Sequence, residues 1–126
     1  TSTDGLVFAG SPEPAGVSKT ELWNGTAWTE VGDLNAARLQ MAGAGTSTSA
    51  AIAFGGLNAA NYRAFTEDWN GASWTEVGDL NTARFAHGSA GSYTSALAYG
   101  GSIPGGNTQT SEEWAGSSVT SNVLTD

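Results

Sequence analysis

The chain has 126 residues, with 12 Asp and Glu against 4 Lys and Arg, for a net charge of -8 at pH 7. That surface repels phosphates and anionic headgroups, so nucleic acids and acidic membranes are not expected as partners. There is no cysteine, which removes disulfides, thiolate metal sites and a cysteine nucleophile.

Hydrophobic residues form 39% of the chain and aromatics 10%, enough for a packed core, and 18 glycines supply many tight turns. No apolar run approaches the roughly 18 residues that span a bilayer, so membrane insertion is not expected. No signal peptide is visible at Thr1, and the missing initiator Met reads as a processed chain or a piece of a longer one.

The chain opens on a short apolar run, Leu6-Val7-Phe8, closed by Ala9-Gly10. It returns as Ile52-Ala53-Phe54-Gly55-Gly56 and Leu97-Ala98-Tyr99-Gly100-Gly101. An apolar run bounded by glycines reads as a strand buried on both faces. Each run leads into a loop: Ser11 to Ser18, Leu57 to Ala64, and Ser102 to Gln109. These loops share little sequence while their flanks match, and recognition is expected where loops vary over a constant scaffold.

A strand over Lys19 to Trp23 follows, then Asn24-Gly25, a strong hairpin signal because both residues tolerate positive φ. The return strand is Trp28 to Val31. A loop from Asn24 to Ala27 pairs Trp23 with Trp28, whereas a two-residue loop pairs Trp28 with Glu21, and both registers are open. The stretch TELWNGTAWTEVGDLN, from Thr20 to Asn35, recurs 46 positions later as TEDWNGASWTEVGDLN, from Thr66 to Asn81. A weaker copy runs from Ser111 to Asp126, with Val119 where Trp28 and Trp74 stood.

Asn35-Ala36-Ala37-Arg38, matched by Asn81-Thr82-Ala83-Arg84, connects to a strand of small residues. That strand reads Met41-Ala42-Gly43-Ala44-Gly45 and then Ala86-His87-Gly88-Ser89-Ala90-Gly91. A helix there is disfavoured by its glycines, each costing about 1 kcal/mol against Ala. The unit is four short antiparallel strands repeated at a period typical of propellers, solenoids and arrays. Such a sheet is the blade of a β-propeller. The expected architecture is all-β, about two and three-quarter blades forming an incomplete ring of eleven strands. Residues 1–126 form one segment, with a partial blade over 1–35, a complete one over 36–81 and a third over 82–126.

The order Arg38, Phe54-Gly55-Gly56, Trp69, Trp74 resembles a kelch repeat. Trp23, Trp69 and Trp114 stand where that family usually has tyrosine. The glycine doublet is Ala9-Gly10 in the first copy and Gly100-Gly101 in the last. The ELWNG…WTEVGDLN wording is also similar to repeats in bacteriophage virion and bacterial surface proteins. The resemblance implies a non-enzymatic structural or binding module, virion-associated or extracellular, meeting a protein, receptor or glycan through its variable loops. Propellers close with roughly 4 to 8 blades, so the missing neighbours are expected from a homo-oligomer or from upstream repeats. The alternatives are a kelch-propeller enzyme acting on carbohydrates and a purely architectural ring- or fibre-forming repeat.

Chemistry-bearing residues are sparse. His87 is the sole histidine, a poor basis for zinc or copper, and is read as packing or surface. No nucleophile motif such as G-x-S-x-G appears. Glu21, Glu67 and Glu112 recur with the scaffold, whereas a glycosidase pair would be one special constellation. Arg38 and Arg84 are expected to pair with such carboxylates or with backbone carbonyls. No calcium-loop spacing is present. Neither a catalytic residue, a metal site nor a cofactor is therefore assigned. Trp23, Trp28, Trp69, Trp74 and Trp114 follow the period and read as packing between blades. Gly55, Gly56, Gly100 and Gly101 read as scaffold. The ligand candidates are the aromatics and cation outside the repeat: Tyr62, Arg63 and Tyr93. Asn24-Gly25-Thr26 is a glycosylation sequon that turn chemistry already explains.

Overall fold

The computed structural model describes residues 3–11, 16–116 and 119–122, the last four for their backbone alone. Part of the first variable loop, the Val119 side chain and the terminal segment lie outside the described residues. The regular elements are all strands, with no helix among the described residues. In chain order they are β1 (Gly5–Phe8), β2 (Thr20–Trp23), β3 (Trp28–Glu30), β4 (Ala42–Ser47) and β5 (Ala50–Phe54). Then come β6 (Leu57–Asn58), β7 (Asn61–Tyr62), β8 (Thr66–Trp69), β9 (Trp74–Val77) and β10 (Gly88–Gly91). The last are β11 (Ala96–Tyr99), β12 (Ser102–Ile103), β13 (Gly106–Asn107), β14 (Ser111–Trp114) and β15 (Val119–Asn122).

Three antiparallel sheets hold the repeats: β1-β2-β3, β4-β5-β8-β9 and β10-β11-β14-β15. These do not close into a barrel or ring. Two of the variable loops are more regular than expected, each containing a two-stranded ribbon, β6-β7 and β12-β13. Leu57 pairs with Tyr62 and Asn58 with Asn61. Left-handed backbone closes both ribbons, at Ala59 and Ala60 in one and at Gly105 and Gly106 in the other.

The hairpin register is settled by the turn. Trp23 lies opposite Trp28, and Trp69 opposite Trp74. Only the glycine adopts positive φ, 93° at Gly25 and 96° at Gly71. The asparagine acts instead through its side chain. Asn24 Oδ1 accepts from the amides of Thr26 and Ala27, and Asn70 Oδ1 from those of Ala72 and Ser73. This Asx-type capping satisfies the turn's amides and fixes a four-residue loop. The small-residue strands begin at Ala42 and Gly88, one and two residues later than their sequence suggests, because Gln40 and Ala86 take left-handed φ before them.

Side chains alternate across β5. Ala51 and Ala53 join Trp69, Trp74 and Leu34 in one core, against which Leu6 and Phe8 of the first sheet pack. Ile52 and Phe54 face the other way and join Ala96, Ala98 and Trp114 of the last sheet. The middle sheet is thus buried on both faces. Phe8 meets Trp74 edge-on at 4.9 Å between centroids, and Trp74 Nε1 donates to Thr20 Oγ1 at 2.9 Å.

An arginine seals each seam between sheets. Arg38 is fully buried, and its Nη2 donates to Glu67 Oε2 at 2.7 Å. Its Nη1 donates to the carbonyls of Gly55 and Phe65, while its own carbonyl accepts from Gly10 of the first sheet. Asn35 of the preceding connector donates its backbone and side-chain N–H to Glu67 Oε1. Arg84 repeats this, donating to Glu112 and to the carbonyls of Gly100 and Thr110, and its carbonyl accepts from Gly56. The glycine doublet makes that approach possible: a Cβ on Gly55 would lie 2.4 Å from the Arg84 carbonyl oxygen, and φ there is +60°.

Candidate recognition surface

The short β5–β8 and β11–β14 connections place both ribbons at one end of the sheets. The Asn24, Asn70 and Ser92–Ser95 turns lie at the opposite end, because β5, β8 and β11 run antiparallel with Phe54, Thr66 and Tyr99 at the ribbon end. Tyr62 and Arg63 therefore share one end, and Tyr93 sits at the other. These three residues do not form one site.

The β6-β7 ribbon is anchored at its base. Leu57 exchanges both backbone hydrogen bonds with Leu39, and Asn58 Nδ2 donates to the Ala37 carbonyl at 2.7 Å. Arg63 N donates to Gly56 O, and Arg63 O accepts from Arg84 N. Tyr62 packs edge-on against Phe85 at 5.0 Å, and the Arg63 guanidinium stands 5.5 Å over the Phe65 ring. Both side chains are partly buried. At the tip, Ala59 and Ala60 hold φ of 47° and 67°. Left-handed backbone costs an alanine roughly 1 kcal/mol, and such strain clusters at functional sites.

Arg63 is electrostatically distinct. Lys19 bridges Glu30 at 2.8 Å and Asp33 at 3.2 Å, and Arg38 and Arg84 are spent on Glu67 and Glu112. Among the described residues, Arg63 has no carboxylate at ion-pair distance. Desolvation pushes the Arg38 guanidinium below its ordinary pKa, partly offset by Glu67. Arg63 offers planar donors at a surface and can take a carboxylate, a carbonyl or a sugar hydroxyl.

His87 sits between the glycine doublets, its Cε1 beside Gly55 and its Cβ beside Gly101. Neither ring nitrogen has a hydrogen-bond partner among the described residues. Burial lowers its pKa to about 4, and the Arg84 charge acts in the same direction. No group of three or more His, Asp or Glu that could hold a metal ion occurs among the described residues.

The tryptophans divide. Trp69, Trp74 and Trp114 are buried, with Trp69 Nε1 donating to Thr48 O and Trp114 Nε1 to Tyr93 O. Trp28 was expected to pack between sheets, yet it is half-exposed, because no further sheet covers its face among the described residues. Tyr93 exposes its ring while its carbonyl serves Trp114. Sequence reasoning missed Phe85 as the partner of Tyr62 and Asn58 as the anchor. The asparagines bracketing Ala59-Ala60 were the available signal for a ribbon.

No protein-family model matches the chain, and comparison with curated proteins returns no significant match.

Proposed function

We propose that the chain is a non-enzymatic binding module of kelch-like β-propeller blades, contacting a protein or glycan through its ribbon end. The observation that carries this reading is the contrast between seams and ribbons. The Arg38–Glu67 and Arg84–Glu112 seams repeat almost atom for atom, while the ribbons between them differ. One ribbon leads into Tyr62 and Arg63; the other carries Asn107 and Thr108 in their place. Support for blades comes from two four-stranded meanders packed face to face, with an arginine reaching the first carbonyl of the glycine doublet in each. A virion or cell-surface setting rests on the resemblance alone.

The test is a glycan array and a cell-surface binding assay with the whole chain. Exchanging residues 57–64 for residues 102–109 abolishes binding on this reading, and Tyr62→Ala with Arg63→Ala weakens it at least tenfold. Unchanged binding after the exchange contradicts it.

A further inference from the structure

Among the described residues, the exposed large hydrophobics are Val7, Trp28, Tyr93 and Tyr99. Three of the four lie on the two terminal faces of the stack. Val7 pairs with Glu21, and Trp28 with Trp23, on the face of the first sheet opposite Leu6 and Phe8. Tyr99 lies with Leu97 on the face of the last sheet opposite Ala96 and Ala98, next to a hollow of 350 Å³ lined by Ala90, Leu97 and Glu113.

Each of these three has a buried counterpart one repeat away. Val7 is 51% exposed and its counterpart Ala53 is 0% exposed; Trp28 is 50% exposed and Trp74 5%; Tyr99 is 45% exposed and Phe54 1%. Inside the chain, the face bearing Leu6 and Phe8 packs on the face bearing Ala53, Trp69 and Trp74. The repeat places Leu97 and Tyr99 where Leu6 and Phe8 stand, and Val7, Trp23 and Trp28 where Ala53, Trp69 and Trp74 stand. The two unpartnered faces therefore carry the apolar residues of an interface the molecule already builds, while the first sheet has no counterpart of β4 or of Arg38 among the described residues. The residues left bare at opposite ends, Tyr99 and Trp28, are the counterparts of Phe8 and Trp74, which meet edge-on at 4.9 Å.

We propose that these faces bind one another between copies of the chain, head to tail, with Tyr99 of one copy packed on Trp28 of the next. The contact is heterologous, and such contacts either close into rings or run on as filaments. The ring size rests on the blade reading above. Propellers close with roughly 4 to 8 blades, so two copies, bringing six sheets, form the ring. The internal interface supplies the register, and the aromatic pair anchors its centre.

Sedimentation across a concentration series tests this. The expected result is a reversible dimer, twice the 12.7 kDa of the chain. Tyr99→Lys and Trp28→Lys each raise the dissociation constant at least about 30-fold, the size of a hot-spot loss. Both sites are exposed, so circular dichroism of each variant stays that of the parent. Mixing the two variants regenerates one intact Tyr99–Trp28 contact, and a heterodimer appears where neither variant alone associates. A contact of one face with its own copy gives no such rescue, and that result overturns the proposal. So does a 12.7 kDa species at every concentration up to millimolar. A mass that keeps growing supports the contact and contradicts the two-copy ring. Both substitutions leave the ribbon residues intact, so failure here leaves ligand binding through Arg63 to be judged by its own assay.

Discussion

The outer hairpins of the first and middle sheets are spelled almost identically, yet they occupy different physical states. In the middle sheet Trp69, Trp74 and Glu67 are buried. In the first, Trp23 is partly covered, Trp28 is half-exposed and Glu21 is exposed. The hairpin itself is the same in both. The two Trp pairs have centroids 5.4 Å apart and tilts of 42° and 43°, and the same asparagine caps each turn. Local sequence fixes the hairpin, and the neighbouring sheet fixes what the hairpin buries. A residue's energetic role in such an array is set by its position in the stack as much as by its identity.

The largest effect expected from this contrast is at the buried ion pairs. Arg38→Met leaves Glu67 buried with a charge and no guanidinium, costing about 3–5 kcal/mol in urea unfolding. Glu21→Gln, at the equivalent of Glu67 in the first sheet, stays within about 0.5 kcal/mol. Equal losses at both positions break the comparison. The tryptophans follow the same logic. Trp74→Ala costs about 3–5 kcal/mol through lost core volume. Trp28→Ala costs about 0.5–1 kcal/mol, the worth of a cross-strand aromatic pair, when measured on the monomer.

His87 sharpens the contrast along a pH axis, since its counterpart in the preceding connector is Met41. Its pKa is about 4 in the fold against an ordinary 6.5, so the unfolded chain takes up the proton first. Its stabilising contribution is complete above pH 6.5 and is lost as pH falls toward 4, by about 3 kcal/mol in all. His87→Met removes that part of the acid limb. Urea titrations of both proteins at pH 7 and pH 4.5 should differ more at the lower pH, and an unchanged difference contradicts a buried neutral histidine.

The smallest contrast is one of sign. Thr20 and Thr66 are both fully buried counterparts. Thr20 Oγ1 accepts from the Trp74 indole. Thr66 Oγ1 has no partner among the described residues, and the third repeat has Val119 where an indole stood. Thr20→Val therefore costs about 1–2 kcal/mol by orphaning the Trp74 N–H, whereas Thr66→Val is neutral or stabilising by up to about 1 kcal/mol. Calorimetric unfolding of the two variants reads the difference directly.

Much of the scaffold was legible because strand period and turn chemistry are local. The apolar runs all announced strands buried on both faces; Ile52-Ala53-Phe54 is one, whereas Val7 and Tyr99 leave the first and last runs half-exposed on their outer faces. The three sheets contain the eleven strands the pattern implies. The β6-β7 ribbon was signalled only by its bracketing asparagines, since Ala59 and Ala60 adopt a left-handed turn against their own preference, held by the Asn58 anchor and the Leu57–Leu39 backbone pair. Tyr62, Arg63 and Tyr93 stood out as non-repeating residues, but their separation to opposite ends follows from chain direction in the sheets. The exposure of Trp28 was hidden for a different reason: its sequence neighbourhood matches that of Trp74, and what differs is the sheet alongside.

The central claim is that neighbours, and not the repeated sequence, decide burial. Fluorine NMR of the chain carrying fluorinated tryptophan, with a soluble paramagnetic quencher, tests it most directly. With the chain dilute enough to be monomeric, the account predicts strong quenching of Trp28 and protection of Trp69, Trp74 and Trp114. As concentration rises, Trp28 and the partly covered Trp23 should become protected while Trp69, Trp74 and Trp114 stay unchanged. Equal protection of Trp28 and Trp74 in the dilute chain would contradict the account.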